Sequence, residues 1–284
     1  MVKRRIKQKR RRFSSESTRR RVEERNKKTR SVYEIPDDFQ MMQIKKAGTY
    51  RLDILPYVVE IPTDYAEEGD LHWERTIEVH YNVGPNQVPR LCPRTVGERC
   101  PICEKVDKMR RDPEVDDDEI RSLQAKERQL FYVMDVRNPD NGIQILETAY
   151  FNFGKAIDRR VFQLQEDEDE DSEEKMNFAD PENGMTVKAL FEAASFGGNS
   201  FLKCDTVDFI RRKTQYTVDI CEELPSLDSL LIVPEYDALK AEMEGESESK
   251  KTKKKSSRKI EEDDEDEEDE DDFDDDDDDE DDDD

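Results

Sequence analysis

The central part of the chain contains short segments in which apolar and polar residues alternate. One segment occupies 48–56 and ends at Pro56, and a second occupies 75–81. Alternation with a period of two is typical of a β-strand that buries one face, because successive side chains point to opposite faces of a sheet. The same reasoning predicts later strands at 130–136, 143–153, 185–191, 201–207 and 215–220.

Turn-forming residues separate the predicted strands. Residues 138–142 read Asn-Pro-Asp-Asn-Gly and predict a hairpin with a longer loop. Five or six short strands separated by turns favour a small barrel or a sandwich. Short helices are predicted at 103–111 and within 226–244. The pattern therefore indicates a mainly β body.

Charge divides the chain into three regions. Residues 1–30 carry 15 Lys/Arg against 3 Glu, whereas residues 241–284 carry 7 Lys/Arg against 27 Asp/Glu. Residues 31–240 keep a net charge of −19 out of the total of −27. Blocks of like charge bury too little apolar surface to fold by themselves. We expect a basic arm at 1–30, a folded body at 31–245, and a disordered tail at 246–284 in which a basic cluster precedes an acidic run.

The chain lacks the sequence signals of membrane insertion. No stretch approaches the roughly 18 apolar residues that span a bilayer, and no apolar signal core follows the basic start. We therefore expect a protein of the reducing cell interior with no membrane partner. In that compartment, clustered cysteines favour metal binding over disulfide formation.

Four residues have the spacing of a metal site: His80, Cys92, Cys100 and Cys103 follow the pattern H-x11-C-x7-C-x2-C. A Cys3His set with a tight C-x2-C pair is typical of closed, structural zinc sites. Unligated thiols in a polar loop are the alternative, and His72 or an acidic side chain could replace His80 as the fourth ligand. Cys204 and Cys221 lie in apolar runs and are interpreted as buried small hydrophobes.

Aromatic and basic residues of the body suggest contacts with nucleic acid. Proteins that bind single strands place bases on aromatic rings and phosphates beside cations. The candidates are Phe131, Tyr132, Tyr150, Phe151, Lys155, Arg211, Arg212, Lys213 and Tyr216. Because about half of the aromatic residues in alternating strands must face the core, a core position is the competing interpretation for each ring. The negative body also requires its cations to cluster locally.

Six segments match one known family in order: RLDILP at 51–56, VHY at 79–81, LC at 91–92, CPIC at 100–103, FNFGKAI at 151–157 and NSFLK at 199–203. They resemble the single-stranded-DNA-binding (helix-destabilising) proteins of T-even-type phages over roughly residues 46–220, with gaps. The family's adjacent Tyr-Trp pair falls on Gln129 and Leu130, and the middle cysteine spacing is shorter here.

The resemblance implies an OB-fold barrel with an inserted zinc subdomain near residues 80–111 and one structural zinc ion. It implies sequence-independent, cooperative binding of single-stranded DNA in phage replication, recombination and repair, in the cytoplasm of an infected bacterium. The basic arm would make protomer–protomer contacts, through a loose counterpart of the family's motif formed by Arg10, Arg11, Arg12, Ser14 and Ser15. The acidic tail would gate DNA access and recruit replication and recombination proteins.

Two other function classes fit parts of the same sequence. An interaction protein could capture basic partners with its acidic tail, and it would bind no oligonucleotide. A zinc-containing RNA or transcription regulator would prefer RNA or one sequence. An enzyme is not expected, because no nucleophile–base pair and no glycine-rich phosphate loop stand out.

Overall fold

The computed structural model describes residues 32–166 and 175–245, together with the single residue Arg19. The interpretations of residues 1–30 and 246–284 therefore lie outside the described residues, apart from Arg19. The five residues assigned to protomer contacts, Arg10, Arg11, Arg12, Ser14 and Ser15, also lie outside them.

Strands dominate the described residues. The ten strands are β1 (Gln40–Met42), β2 (Gly48–Leu55), β3 (Tyr57–Val58), β4 (Leu71–His72), β5 (Arg75–Val83), β6 (Val88–Leu91), β7 (Lys126–Asp135), β8 (Ile143–Ala149), β9 (Met185–Phe196) and β10 (Asn199–Arg211). The five α-helices are α1 (Pro101–Met109), α2 (Asp117–Leu123), α3 (Gly154–Glu166), α4 (Asp219–Glu223) and α5 (Tyr236–Met243). Three 3-10 turns lie at Pro93–Val96, Pro139–Asn141 and Tyr150–Asn152.

Eight strands form one mixed sheet in the order β1-β8-β7-β2-β9-β10, with β5 paired to β7 and β6 paired to β5. The β1–β8 pair is parallel, and the other pairs are antiparallel. Strands β3 and β4 form a separate small sheet. Within the described residues no pairing closes the large sheet on itself. The prediction of a mainly β body is confirmed, whereas a closed OB-type barrel is not.

Strand β7 is the centre of the sheet and is buried on both faces. Its neighbour on one side is β8, while β5 pairs with its first half and β2 with its second half. Phe131 and Val133 enter a core on one face, and Leu130 and Tyr132 enter a second core on the other face. A continuous apolar run is what a strand buried on both faces requires, because every residue then meets apolar neighbours.

Different parts of the chain cover the two cores. Helix α3 covers the first core through Ala156, Ile157 and Leu164. The second core is closed by residues near the start of the described chain and by residues after β10, including Val32, Ile35, Leu227 and Leu230. The sheet is thus the middle layer of the body, and functional side chains that remain exposed must lie on its edges, turns or covering segments.

Six of the predicted strands correspond to observed ones, but two details of the predictions are wrong. Residues 215–220 contain no strand, and α4 begins at Asp219. Strand β8 ends at Ala149 instead of continuing to residue 153. The 3-10 turn at Tyr150–Asn152 breaks the alternation, so Phe151 is 49% exposed while Phe153 is fully buried.

We predict that Phe153→Ala destabilises the fold far more than Phe151→Ala. The Phe153 ring packs against Phe131 and Phe191 with centroid distances of 5.5 and 5.6 Å. Its removal leaves a cavity and should cost about 3–5 kcal/mol in the free energy of unfolding. Truncation of the half-exposed Phe151 should cost about 1 kcal/mol or less. Urea denaturation of both variants measures the difference, and equal losses would contradict this assignment of the two rings.

Candidate metal centre and nucleic-acid surface

The metal centre forms where a hairpin meets a short helix. His80 lies on β5, and Cys92 directly follows β6, the partner of β5 in the hairpin. Cys100 caps the N-terminus of α1, and Cys103 lies in the first turn of that helix. Pro101 occupies the first helical position, where a missing N–H costs nothing. The C-x2-C spacing therefore turns both thiols toward the hairpin.

The four side chains converge in a buried cluster. Their ligand atoms all lie within 4.8 Å of one another, and all four residues are buried. His80 Nε2 lies 3.3 Å from Cys100 Sγ and 3.4 Å from Cys103 Sγ, and the Sγ atoms of Cys92 and Cys103 are 3.5 Å apart. The cluster could hold one metal ion, with each residue offering one ligand atom.

The orientation of His80 suits a metal ligand. Its Nδ1 lies 2.8 Å from the carbonyl oxygen of Leu123, the last residue of α2, so a proton on Nδ1 is satisfied and Nε2 faces the thiols. Metal-bound histidines are commonly held by such a contact to the second ring nitrogen. Burial alone would lower the pKa of His80, but hydrogen bonds to Cys100 and Cys103 raise it to about 10. Hydrogen bonds from Cys103 and Cys92 lower the pKa of Cys100, and a thiolate is the form that binds metal.

The C-terminal helix α5 packs against this centre. Leu239 is buried in the same cluster as the three cysteines and Val83. Arg90 donates two hydrogen bonds, of 2.8 and 2.7 Å, to the carboxylate of Glu242, and Tyr236 donates one of 2.8 Å to Glu104. We call residues 80–123 with α5 the metal-binding module.

The other histidine and the other two cysteines lie outside this cluster. His72 lies on β4, with its ring 4.8 Å from that of Tyr65 and 5.9 Å from that of Trp73. His80 is therefore the histidine that joins the three cysteines. Cys204 and Cys221 are buried singly, which confirms their interpretation as small core residues.

Several residues predicted to contact nucleic acid are buried, and the prediction is corrected for them. Phe131 and Tyr132 have no exposed surface, because β7 is covered on both faces. The hydroxyl of Tyr132 donates a 2.8 Å hydrogen bond to the carbonyl of Pro225. Their rings cannot stack on a base without unfolding the centre of the sheet.

Tyr216 and Arg212 are corrected for a related reason. Both are buried around Asp53, to which Tyr216 donates a 2.9 Å hydrogen bond. The Arg212 guanidinium lies 3.7 Å from the same carboxylate and donates to carbonyl oxygens, among them those of Phe178 at 2.9 Å and Asp180 at 2.8 Å. This cation holds the loop after residue 175 against the sheet and is not free for a phosphate.

The remaining candidates are accessible. Arg211 and Lys213 are exposed and line a shallow recess of about 340 Å³ together with Glu182. Tyr150 is half-buried, and burial together with a hydrogen bond to Asp158 raises its pKa. Phe151, in the 3-10 turn before α3, is half-exposed, and Lys155, in the first turn of α3, is exposed.

A cation that the sequence predictions missed completes the surroundings of Phe151. The Nζ atom of Lys203 lies 4.3 Å from the ring centroid of Phe151, and that of Lys155 lies 5.1 Å from it. We call these three residues the stacking site. No sequence signal links residue 203 with residue 151, because the contact arises from the packing of β10 beside the 3-10 turn.

A cleft of about 600 Å³ adjoins the stacking site. Asn152 and Leu202, the chain neighbours of Phe151 and Lys203, lie in its wall. Other lining residues include Tyr33, Lys45, Tyr81 and Arg128. Its volume falls within the range of about 300–1,000 Å³ that is common for ligand clefts.

No protein-family model matches this chain, and no curated protein matches it. In residues 32–166 and 175–245, no helix combines the length and the apolar character that crossing a bilayer requires. The functional assignment therefore depends on the geometry of the metal centre and the stacking site, together with the resemblance of the sequence segments.

We predict that Arg212→Ala unfolds the body much more readily than Arg211→Ala. Loss of Arg212 leaves the Asp53 carboxylate buried without its cation, which should cost about 3–5 kcal/mol. Arg211 is exposed, so its truncation should change the free energy of unfolding by about 0.5 kcal/mol or less. Chemical denaturation tests the pair. An Arg212→Ala protein as stable as wild type would contradict the structural role of Arg212 and would return this residue to the candidate DNA contacts.

Proposed function

We propose that this protein is a non-enzymatic, sequence-independent single-stranded-DNA-binding protein whose zinc ion has a structural role. The observation that carries the proposal is the stacking site: an aromatic ring 49% exposed, with two ammonium groups within 5.1 Å of its centroid. Base stacking on an aromatic ring is tolerant of sequence, because every base has a π-face, and the cations beside it suit the adjoining phosphates.

The two lysines of the stacking site lie over the Phe151 ring in cation–π contacts, which a stacking base would have to displace toward its phosphates. Among the described residues, neither Lys155 nor Lys203 takes part in an ion pair. By contrast, Arg128 in the adjoining cleft pairs with Glu147, and Arg90 pairs with Glu242. Two ammonium groups without a carboxylate partner among the described residues form a local positive region, which is the form of attraction that a net negative body requires.

The adjoining cleft extends this surface. The wall of the cleft contains two further aromatic residues and one cation: Tyr33, Tyr81 and Lys45. In this proposal they contact the part of the nucleic-acid strand that leaves the stacking site. A groove with interspersed aromatic and basic residues is the general form of a sequence-tolerant single-strand site. The cleft and the stacking site together span more surface than one nucleotide covers.

Zinc is the ion that best suits the Cys3His cluster. Thiolate and imidazole ligands in a tetrahedral set favour zinc over the hard cations. With zinc–ligand bonds of about 2.0–2.3 Å, a regular tetrahedron places its ligand atoms about 3.5–3.8 Å apart. The separations of 3.3, 3.4 and 3.5 Å between ligand atoms are close to this geometry. Four protein ligands fill the tetrahedron, so the ion would hold the module in shape.

The remaining parts of the proposal rest on the resemblance to the T-even phage proteins. We propose that the bent sheet is an OB-type fold, in which β7 pairs with β5 and β2 along successive halves of one edge. We also propose cooperative coating of single strands during phage replication, recombination and repair. In this proposal, the basic arm contacts neighbouring protomers and the acidic tail recruits partner proteins.

We predict that the protein purifies with one zinc ion per chain and that His80→Ala loses it while His72→Ala keeps it. Removal of zinc should also lower the melting temperature and release α5, because Leu239 packs on the cysteine cluster. Native mass spectrometry gives the zinc content, and hydrogen exchange of residues 236–243 follows the helix. Complete zinc removal with an unchanged melting temperature would argue against a structural ion.

We predict that the full-length protein binds labelled single strands of about 20 nucleotides, of two unrelated sequences, with similar affinity and binds duplex DNA more weakly. Phe151→Ala should weaken binding about 5- to 20-fold, which is the loss of one modest base stack. Phe162→Ala is the matched control, because Phe162 is 59% exposed but lies further along α3. Fluorescence anisotropy at two salt concentrations measures the three proteins against the three ligands, since affinity depends strongly on salt.

The same titration can reject the proposal. Absence of binding at low salt would remove the single-strand function and leave the acidic-tail interaction protein as the better hypothesis. Tight binding of one sequence alone, or of RNA alone, would favour a regulator. If Phe151→Ala and Phe162→Ala bind single strands with equal affinity, the binding surface lies away from the stacking site.

A further inference from the structure

The hairpin of β9 and β10 extends beyond the sheet. Its strands pair with each other as far as Phe196 and Asn199, at the tip. Strand β2 pairs with β9 only up to Phe191, so within the described residues the part of the hairpin beyond Phe191 has no neighbouring strand. We call residues 192–203 the hairpin arm. Its tip is Gly197–Gly198, with φ values of 58° and 80° that favour glycine.

The tip presents a large apolar side chain to solvent. Phe196 is 83% exposed, the highest value among the large hydrophobic residues of the described chain. Because the side chain packs so little against the described residues, its removal should cost the folded state little. The Phe196 ring is therefore available to a ligand.

The composition of the arm suits a polyanionic ligand. Residues 193–202 contain no charged residue, although 43% of the chain is charged and 74 of its residues are acidic. A bound phosphate backbone would thus meet no carboxylate from 193–202 itself. The arm's one cation, Lys203, and its one carboxylate, Glu192, lie opposite each other at its base, and Lys203 belongs to the stacking site.

The arm is continuous along the chain from the stacking site to its tip, because it begins at Lys203. In the register of the two strands, Lys203 lies opposite Glu192 at the base of the arm, and Asn199 lies opposite Phe196 at the tip. At about 3.3 Å per residue, the four residues from Lys203 to Asn199 span about 13 Å. Leu202, between them, lies in the wall of the cleft. A nucleic-acid strand with one base stacked on Phe151 would reach the tip of this arm a few nucleotides further along.

We propose that the hairpin arm clamps the bound single strand and that Phe196 stacks on a second base. This inference rests on the proposed function and adds to it a named contact at Phe196, a residue that lies outside the six sequence segments. The ligand is single-stranded nucleic acid. A second copy of the chain, which could also cover an exposed ring, is the competing outcome of the test.

The test compares Phe196→Ala with Phe162→Ala in the full-length protein. The ligand is an oligonucleotide of about eight nucleotides, so that one protomer fills it and contacts between protomers do not contribute. Phe196→Ala should bind about 5- to 20-fold more weakly than wild type, and Phe162→Ala should bind like wild type. Circular dichroism should give the same melting temperature for both variants, because each ring is largely exposed.

A second variant reports the contact directly. Phe196→Trp adds an exposed indole to a chain whose one native tryptophan, Trp73, packs against Phe131 and Phe178. Stacking on a base should quench the added fluorescence when the oligonucleotide binds. Wild type provides the background signal of Trp73.

The outcomes separate this inference from the proposed function. If wild type binds and both phenylalanine variants bind equally well, the arm is not a clamp, but the proposed function stands. If wild type does not bind, the proposed function fails, and the clamp fails with it. If Phe196→Ala keeps its affinity but reduces self-association in sedimentation velocity, the arm contacts a second copy and the inference is overturned.

Discussion

The burial of β7 on both faces is the constraint on which the rest of the fold depends. Its residues contribute alternately to two separate cores, so each face of the sheet needs a covering layer. Helix α3 supplies one layer, and the segments at the two ends of the described body supply the other. Because apolar burial on both faces is the main stabilising contribution, the centre of the sheet has no surface left for a ligand.

This constraint moves the candidate binding surface to the rim of the sheet. The 3-10 turn after β8 and the start of α3 lie where the first core ends, and Phe151 is exposed there while Phe153 completes the core. Gly154 packs closely against the side chain of Gln129 on β7, and a Cβ at that position would require the Gln129 amide to move. The packing of a buried strand thus determines where the exposed ring and its lysines lie.

The metal-binding module extends from the same half of β7 but from its other edge, where β5 pairs instead of β8. Strand β5 pairs with the first half of β7 and carries His80, and α1 and α2 then bring the thiols and the Leu123 carbonyl to that histidine. The module contains only a small apolar cluster. A bound ion would add the cross-links that such a cluster lacks, and α5 at the end of the body depends on the same packing.

Parts of this structure could be predicted from local sequence, and parts could not. Apolar patterning predicted six strands, and the spacing of His80 and the three cysteines predicted the members of the buried cluster. The prediction of a strand at 215–220 is wrong. Tyr216 is buried next to Asp53, to which it donates a hydrogen bond, and it is not part of a strand. The run from Leu130 to Val133 is apolar at every position, which is the pattern of a strand buried on both faces. The exposure of Phe151 and its contact with Lys203 depend on a turn and on long-range packing, which periodicity does not encode.

Hydrogen–deuterium exchange of the full-length protein, with and without a saturating single-stranded oligonucleotide, tests the central claim most directly. That claim is that the ligand binds at the rim, on the stacking site and the hairpin arm, and not on the aromatic centre of the sheet. We expect slower exchange at 150–155 and 192–203, with exchange unchanged at 129–133. Protection confined to other surfaces of the body, such as residues 211–215, would contradict the account.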